Sequence, residues 1–173
     1  AAGGDVPHAV ELLDRAAALG PPDGAARYMA AQLLLKQGKT AEAEERLRAV
    51  VQASPANAEA HNDLAWLLAQ QPDPDLDRAL ALAEEAHRID ASSEIADTLG
   101  WVYLQRGETE RATKLLESAL ERRPESQSIR YHLGVALGRQ GERQRAIEML
   151  RQAVEAGSFA EADEARNEIS RLE

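Results

Sequence analysis

Cysteine is absent from the 173-residue chain, and aromatic residues make up only 3% of it. Without thiols there is no disulfide, cysteine metal ligand or cysteine nucleophile. Few aromatic residues disfavour a sheet, whereas the abundant alanine, leucine, glutamate and arginine favour helix. No apolar run approaches the roughly 20 residues that span a bilayer. These absences predict an all-α chain with no direct membrane insertion.

Positive charge is also scarce. The chain has 20 Lys and Arg against 30 Asp and Glu, which gives a formal net charge of −10. A chain of this charge repels polyanions, and sequence-independent binding of nucleic acid is therefore unfavourable. We expect no nucleic-acid partner, and a basic or neutral partner fits better than an acidic one.

What the chain does contain is a repeat of about 34 residues. In each copy an alanine is followed four residues later by leucine or alanine, and three residues after that by alanine or valine. This spacing places the three positions on one face of a helix. The five stripes are Ala9, Leu13 and Ala16; Ala43, Leu47 and Val50; Ala79, Ala83 and Ala86; Ala112, Leu116 and Ala119; and Ala146, Leu150 and Ala153.

Prolines and glycines mark the ends of the predicted helices. Five residues after the last position of three stripes stand Pro21, Pro55 and Pro124, and proline cannot continue a helix. Before three of the stripes, Gly38, Gly107 and Gly141 are placed to open the turn between two helices, where a positive φ or close packing suits glycine.

The best copy of the repeat is Leu99-Gly100-Trp101-Val102-Tyr103, followed by Ala112, Leu116 and Pro124. It resembles the tetratricopeptide pattern, in which W-x2-L-G-x2-Y precedes A-x3-F and then P over about 34 residues. The resemblance covers nearly the whole chain. It implies a right-handed superhelical solenoid of antiparallel helix pairs, with about nine helices, or ten if the first is fully formed.

The repeat register predicts the organisation of the chain. Residues 1–23 are expected to be the second half of a truncated repeat, because no first helix precedes them. Four repeats are predicted at 24–57, 58–92, 93–126 and 127–160. Residues 161–173 are predicted to form a polar C-terminal capping helix, which a solenoid needs to end its stack.

The repeat at 58–92 has a lengthened turn, Gln71 to Asp77. Its aspartates Asp73, Asp75 and Asp77 alternate as in a calcium loop, but the glycine and the final glutamate of such a loop are missing. We expect Asp77 to cap the helix that begins near Arg78. No histidine pair has zinc-binding spacing, and we expect neither a metal nor a cofactor.

A narrower resemblance concerns four segments in a fixed order. They are Asn62-Asp63-Leu64-Ala65-Trp66-Leu67-Leu68-Ala69, the long turn, Asp97-Thr98-Leu99-Gly100-Trp101 and Ile129-Arg130-Tyr131-His132-Leu133. They look like the C-terminal repeats of bacterial tetratricopeptide proteins associated with exopolysaccharide and PEP-CTERM export systems. This resemblance implies an envelope scaffold in the bacterial periplasm or at the outer membrane.

In tetratricopeptide proteins the first helices of successive repeats line a concave groove, where partners bind. Transferred by register, the predicted partner-binding residues are Tyr28, Gln32 and Lys36; Asn62, Trp66 and Gln70; Asp97, Trp101 and Gln105; and Tyr131 and Arg139. Leu35, Leu104 and Val135 are predicted at further exposed inner positions. Trp66, Trp101 and Tyr131 are expected to anchor a partner, although the two tryptophans could instead pack on each other.

The sequence therefore predicts a non-enzymatic scaffold that binds a protein or peptide in the groove. No glycine-rich phosphate loop, G-x-S-x-G elbow or Cys/His nucleophile arrangement occurs. Two alternatives stay open. One is a homo-oligomer formed through the open N-terminal repeat face, and the other is a regulatory or positioning module of a larger enzyme.

Overall fold

The computed structural model describes residues 6–19, 24–157 and 159–173. These residues form ten α-helices joined by short turns, and no strand is present among them. The helices are α1 (Val6–Leu19), α2 (Ala25–Lys36), α3 (Thr40–Ala53), α4 (Ala58–Ala69), α5 (Leu76–Ile89), α6 (Ser93–Gln105), α7 (Thr109–Arg122), α8 (Gln127–Arg139), α9 (Arg143–Glu155) and α10 (Ala162–Leu172). The all-α prediction is confirmed. Pro21 lies outside the described residues.

The helices belong to two compact units, Ala1–Ile89 (unit 1) and Asp90–Glu173 (unit 2). Within each unit, every helix packs against the next one along the chain. In unit 2, α8 also contacts α6 and α10. These contacts bring together, within one unit, the side chains of helices that are separated by a complete helix.

Alanine–leucine stripes form the core. The stripe residues of α3, α5, α7 and α9 are all completely buried, as predicted: Ala43, Leu47 and Val50; Ala79, Ala83 and Ala86; Ala112, Leu116 and Ala119; and Ala146, Leu150 and Ala153. Small side chains at the ends of each stripe allow neighbouring helices to approach closely, and the central position fills the remaining space.

The equivalent stripe of α1 is a correction to the sequence prediction. Ala16 is exposed, Ala9 and Leu13 are only partly buried, and the one buried side chain of α1 is Val10. Val10 packs in a cluster with Ala30, Leu34 and Ala43, which belong to α2 and α3. The helix is therefore rotated relative to the predicted face, because Val10 rather than Ala9 points at its neighbours.

The interhelix glycines adopt the predicted conformation. Gly38, Gly107 and Gly141 have φ values of 72°, 81° and 82°. The amide after each glycine donates to a carbonyl in the last turn of the preceding helix, as in Lys39 N to Leu34 O at 2.9 Å. This bond satisfies a carbonyl that the helix itself leaves without a donor.

The cap of α5 differs from the prediction. The helix begins at Leu76, and the Asp75 carboxylate accepts a hydrogen bond from the Arg78 amide at 3.1 Å. Asp77 already lies in the first helical turn. The capping residue is thus Asp75, because the helix starts two residues earlier than the sequence suggested and the capping oxygen must lie just before it.

Candidate functional site

The predicted partner-binding residues differ in exposure. Gln32, Lys36, Gln70 and Arg139 are exposed, whereas Tyr28, Asn62, Trp66, Asp97, Trp101 and Gln105 are partly buried. Three positions predicted to be exposed are buried: Tyr131 is 7% exposed, Val135 is 6% exposed and Leu104 is completely buried. For Tyr131, the reason is a set of aromatic neighbours within unit 2.

Four rings form an aromatic cluster in unit 2. Trp101 of α6 lies 4.4 Å from His132 and 6.1 Å from Tyr131, both on α8, measured between ring centroids. Tyr131 also lies 6.2 Å from Phe159, which precedes α10. Sequence reasoning missed both His132 and Phe159. Phe159 helps to cover Tyr131, and this leaves Trp101 as the more exposed of the two predicted anchors in the cluster.

The orientation of His132 is fixed by Asp97. The Nδ1 atom of His132 lies 2.7 Å from the Asp97 Oδ1 atom, and the two side chains are only 2% and 14% exposed. The pair joins α6 to α8, directly beside Trp101. The imidazole ring thus forms a fixed support on which the indole ring rests.

A second bond with the same chain separation joins two helices of unit 1. The Tyr28 hydroxyl on α2 donates to the Asp63 Oδ2 atom on α4 at 2.9 Å, across 35 residues. The His132–Asp97 pair also spans 35 residues. Each bond links a position in one first helix to the following position in the next first helix. This offset of one repeat plus one residue is a sequence signal that could have identified both pairs.

Burial perturbs the ionisation of the Tyr28–Asp63 pair. The pKa of Asp63 is raised, chiefly by burial, although hydrogen bonds from Tyr28 and Asn62 lower it, and the charge of Glu59 adds a smaller increase. The pKa of Tyr28 is also raised, first by burial and then by the charge of Asp63 and its hydrogen bond to that carboxylate. The ionised Asp63 carboxylate therefore costs stability in the folded state.

We expect Asp63→Asn to be as stable as the parent chain or about 1 kcal/mol more stable at neutral pH, because asparagine keeps the acceptor without the charge. A raised folded-state pKa means that the contribution of Asp63 to stability is greatest when it is protonated and is lost as pH rises through that pKa. The advantage of Asp63→Asn should thus shrink as the pH falls to about 4. Urea unfolding across this pH range measures the difference.

Tyr28→Phe provides the contrast, because it removes the donor and leaves the carboxylate in place. It should destabilise the chain by about 1–2 kcal/mol at neutral pH. Equal losses for Asp63→Asn and Tyr28→Phe would show that the hydrogen bond, and not the charge, determines the energy of the pair.

Gln70, another predicted binding residue, lies where α3 meets the lengthened turn. The lining of a cavity of about 230 Å³ there consists of Thr40, Ala41, Glu44, Leu67, Gln70, Gln71 and Pro72. Gln71 Nε2 donates to Glu44 Oε2 at 3.0 Å, which ties the turn to α3. The start of the turn is therefore held against the preceding repeat.

Arg139 has a partner within unit 2. Its Nη1 atom donates to the Leu104 carbonyl at 2.6 Å, at the C-terminal end of α6. A cation at this end stabilises the helix by interacting with carbonyls that lack helical donors. Arg139 nevertheless stays exposed, so it can also contact a second molecule.

Neither a metal-binding cluster nor a membrane-spanning helix occurs among the described residues. No group of three or more histidine, aspartate and glutamate side chains there is arranged to hold a metal ion. Among the same residues, no helix is both long and apolar enough to cross a membrane.

Comparison with known sequences identifies the repeat. The family model described as "Tetratricopeptide repeat" matches residues 1–43, 28–94 and 98–161. A TPR repeat-containing protein of Pseudomonas aeruginosa is 31% identical over 115 residues, or 66% of this chain. The chain spans only 19% of the length of that relative.

Solved structures share the fold. A thermophilic TPR protein of Thermus thermophilus has a TM-score of 0.72 and 23% identity, and the match covers 96% of this chain and 90% of that one. YrrB, described as a TPR protein with an unusual peptide-binding site, has a TM-score of 0.71 and 20% identity, with 88% of this chain and 78% of that one covered. At these identities the likeness establishes the fold alone.

Proposed function

Because the chain belongs to the tetratricopeptide repeat family, we propose that it is a non-enzymatic scaffold that binds a protein or peptide segment through its first helices. The observation that carries the proposal is Trp101, which is partly exposed and is supported by the His132 ring at 4.4 Å. An aromatic side chain in a fixed orientation offers a large contact area at little cost in conformational entropy.

Polar groups beside the aromatic cluster support the same function. Gln105 lies one helical turn beyond Trp101 on α6, and Arg139 is exposed at the end of α8. Amide and guanidinium groups can hydrogen-bond the main chain of an extended segment. In unit 1, Gln32, Asn62 and Trp66 provide side chains of the same kinds.

The finer proposal concerns the biological setting. The order of the Asn62–Ala69, Asp97–Trp101 and Ile129–Leu133 segments around the long turn supports a place in a bacterial exopolysaccharide export assembly, in the periplasm or at the outer membrane. The partner would then be another protein of that assembly. The alternative is a regulatory or positioning module of a larger enzyme. Such a module would bind through the same side chains, but its partner would lie within that enzyme.

The test is capture of a partner by the chain, identification of that partner and titration with purified material. We expect Trp101→Ala to weaken binding about tenfold, or about 1.4 kcal/mol. Glu121→Ala on α7, which removes an exposed carboxylate, should change affinity less than twofold or so. Circular dichroism must first show matching helicity.

Trp101→Phe separates binding from folding, because phenylalanine preserves a ring on His132 and loses only part of the contact area. Trp101→Phe should therefore bind the partner nearly as tightly as the parent chain does, and more tightly than Trp101→Ala. A normally folded Trp101→Ala chain with the parent affinity would move the binding site to another surface.

A second candidate function, self-association, is favoured by exposed apolar side chains in unit 1. Leu12 and Leu19 on α1 are 47% and 88% exposed, and Met29 on α2 is 56% exposed. If these side chains form an interface, the mass measured by light scattering should rise with concentration. Leu19→Ser with Met29→Ser should then abolish the increase, whereas a constant monomer mass for the parent chain would exclude self-association.

A further inference from the structure

Three carboxylates, Glu161, Glu164 and Glu168, lie at the start of α10 and along it. Glu161 Oε2 accepts a hydrogen bond from the Ser128 hydroxyl at 3.5 Å. Farther along α8, Glu168 Oε1 lies 3.6 Å from the position that a Cβ atom would occupy at Gly138. Glu164 stands between them on the chain and is exposed.

These carboxylates act on the aromatic cluster. The pKa of Tyr131 is raised to about 12, first by burial and then by the charges of Glu164, Glu161 and Glu168, while Arg139 opposes them. The three carboxylates thus add to the effect of burial at the Tyr131 hydroxyl. We call the surface formed by Trp101, Tyr131, Phe159, Glu161, Glu164 and Glu168 the acidic aromatic face.

Among the described residues, few cations neutralise this face. Arg171 forms a salt bridge with Glu168, and Arg139 donates to the Leu104 carbonyl. Across the described part of the chain, neither Glu161 nor Glu164 takes part in an ion pair. The negative charges of Glu161 and Glu164 are thus available to a second molecule.

We propose that the acidic aromatic face binds an extended peptide segment bearing lysine or arginine, with its cation near Glu161 and Glu164 and its aliphatic stem against Trp101. This inference rests on the proposed function and specifies the chemistry of the partner. Carboxylates form charge-assisted hydrogen bonds with either cation, and an indole ring offers an apolar surface on which the aliphatic stem of lysine or arginine packs. The same charges repel an acidic segment.

The experiment uses a labelled, capped octapeptide of alternating lysine and leucine, and a matched peptide with glutamine in place of lysine. Fluorescence anisotropy with the complete chain measures both Kd values. We expect the lysine peptide to bind about tenfold more tightly than the glutamine peptide at low salt. The difference should shrink when the ionic strength is raised to about 0.3 M, because salt screens exposed charges.

Two paired variants locate the interaction. Glu161→Gln with Glu164→Gln removes both charges and keeps an acceptor for Ser128, and it should weaken binding of the lysine peptide about fivefold to tenfold. Glu110→Gln with Glu121→Gln removes two exposed charges from α7 and should leave the Kd within about twofold. Binding of the glutamine peptide should not respond to either pair.

Three results would overturn the inference. They are equal affinity for the two peptides, equal effects of the two variant pairs, and no binding of either peptide. Equal affinities that are both lost in Trp101→Ala would leave the proposed scaffold function intact, because a neutral segment would still bind at the same surface. Failure of the scaffold function itself would appear separately, as unchanged affinity of the captured partner for Trp101→Ala.

Discussion

Ala112→Leu is expected to lower the free energy of unfolding of the chain by about 2–3 kcal/mol. Ala112 lies on α7, which packs against both α6 and α8, and its side chain is completely buried. Leucine adds three carbon atoms at a position without free surface, so the helices must separate or the side chain must leave its preferred rotamer. Urea denaturation followed by circular dichroism measures the loss.

The matched control for Ala112→Leu is Glu110→Ala, two residues earlier on the same helix. Glu110 is exposed, and its replacement should change stability by less than about 0.5 kcal/mol. Superimposable unfolding curves for the two variants and the parent would mean that Ala112 does not lie at a close contact between helices.

The regular part of the fold could be predicted because one spacing recurs in every complete helix pair. A stripe such as Ala112, Leu116 and Ala119 fixes which face of its helix is buried, and the turn glycine fixes where the pair reverses. Both signals are local, since they depend on helix periodicity and on a positive φ. The four complete stripes are therefore predicted correctly.

The face of α1 could not be assigned in the same way. Residues 6 to 16 contain two overlapping apolar patterns: Ala9, Leu13 and Ala16 form one, and Val6, Val10 and Leu13 form the other. Both have helical spacing, and the centres of the two faces differ by a rotation of about 60° around the helix axis. The structure uses the second pattern, because Val10 packs on α2 and α3. Periodicity alone cannot choose between two apolar faces.

Exposure at the candidate site depends on contacts that the repeat register does not contain. The register places Tyr131 on a first helix, but Phe159, which is 28 positions later in the chain, comes within 6.2 Å of its ring. The hydrogen-bonded pairs Tyr28–Asp63 and His132–Asp97 are missed for a similar reason, because each pair links unlike residue types at positions that are offset by one residue between repeats. The predicted cap of α5, Asp77, lies two residues after the observed one, Asp75, which is a common error at helix ends.

Two glycines of α8 should respond in opposite directions to the same replacement. A Cβ atom at Gly134 would lie 2.7 Å from the Leu150 Cγ atom and 3.3 Å from the Ala146 carbonyl oxygen. At Gly138 the nearest atom, Leu172 Cδ1, would be 3.5 Å away, which is an ordinary contact. Alanine stabilises a helix interior by about 0.5–1 kcal/mol relative to glycine, but only where the added carbon fits.

We therefore expect Gly134→Ala to destabilise the chain by about 2 kcal/mol and Gly138→Ala to stabilise it by about 0.5 kcal/mol.

The contact between Gly134 and Leu150 also provides a rescue experiment. Leu150→Ala alone should cost about 3 kcal/mol through the cavity that it creates. Combined with Gly134→Ala, it removes the steric conflict, and the double variant should be at least about 1 kcal/mol more stable than the sum of the single losses predicts. Urea unfolding of all four variants measures this coupling. If the losses in unfolding free energy of Gly134→Ala and Leu150→Ala are strictly additive, or if the two glycine variants lose equally, α8 and α9 separate freely at Gly134. Coupling between the two changes would show that the close approach of the two helices requires glycine there.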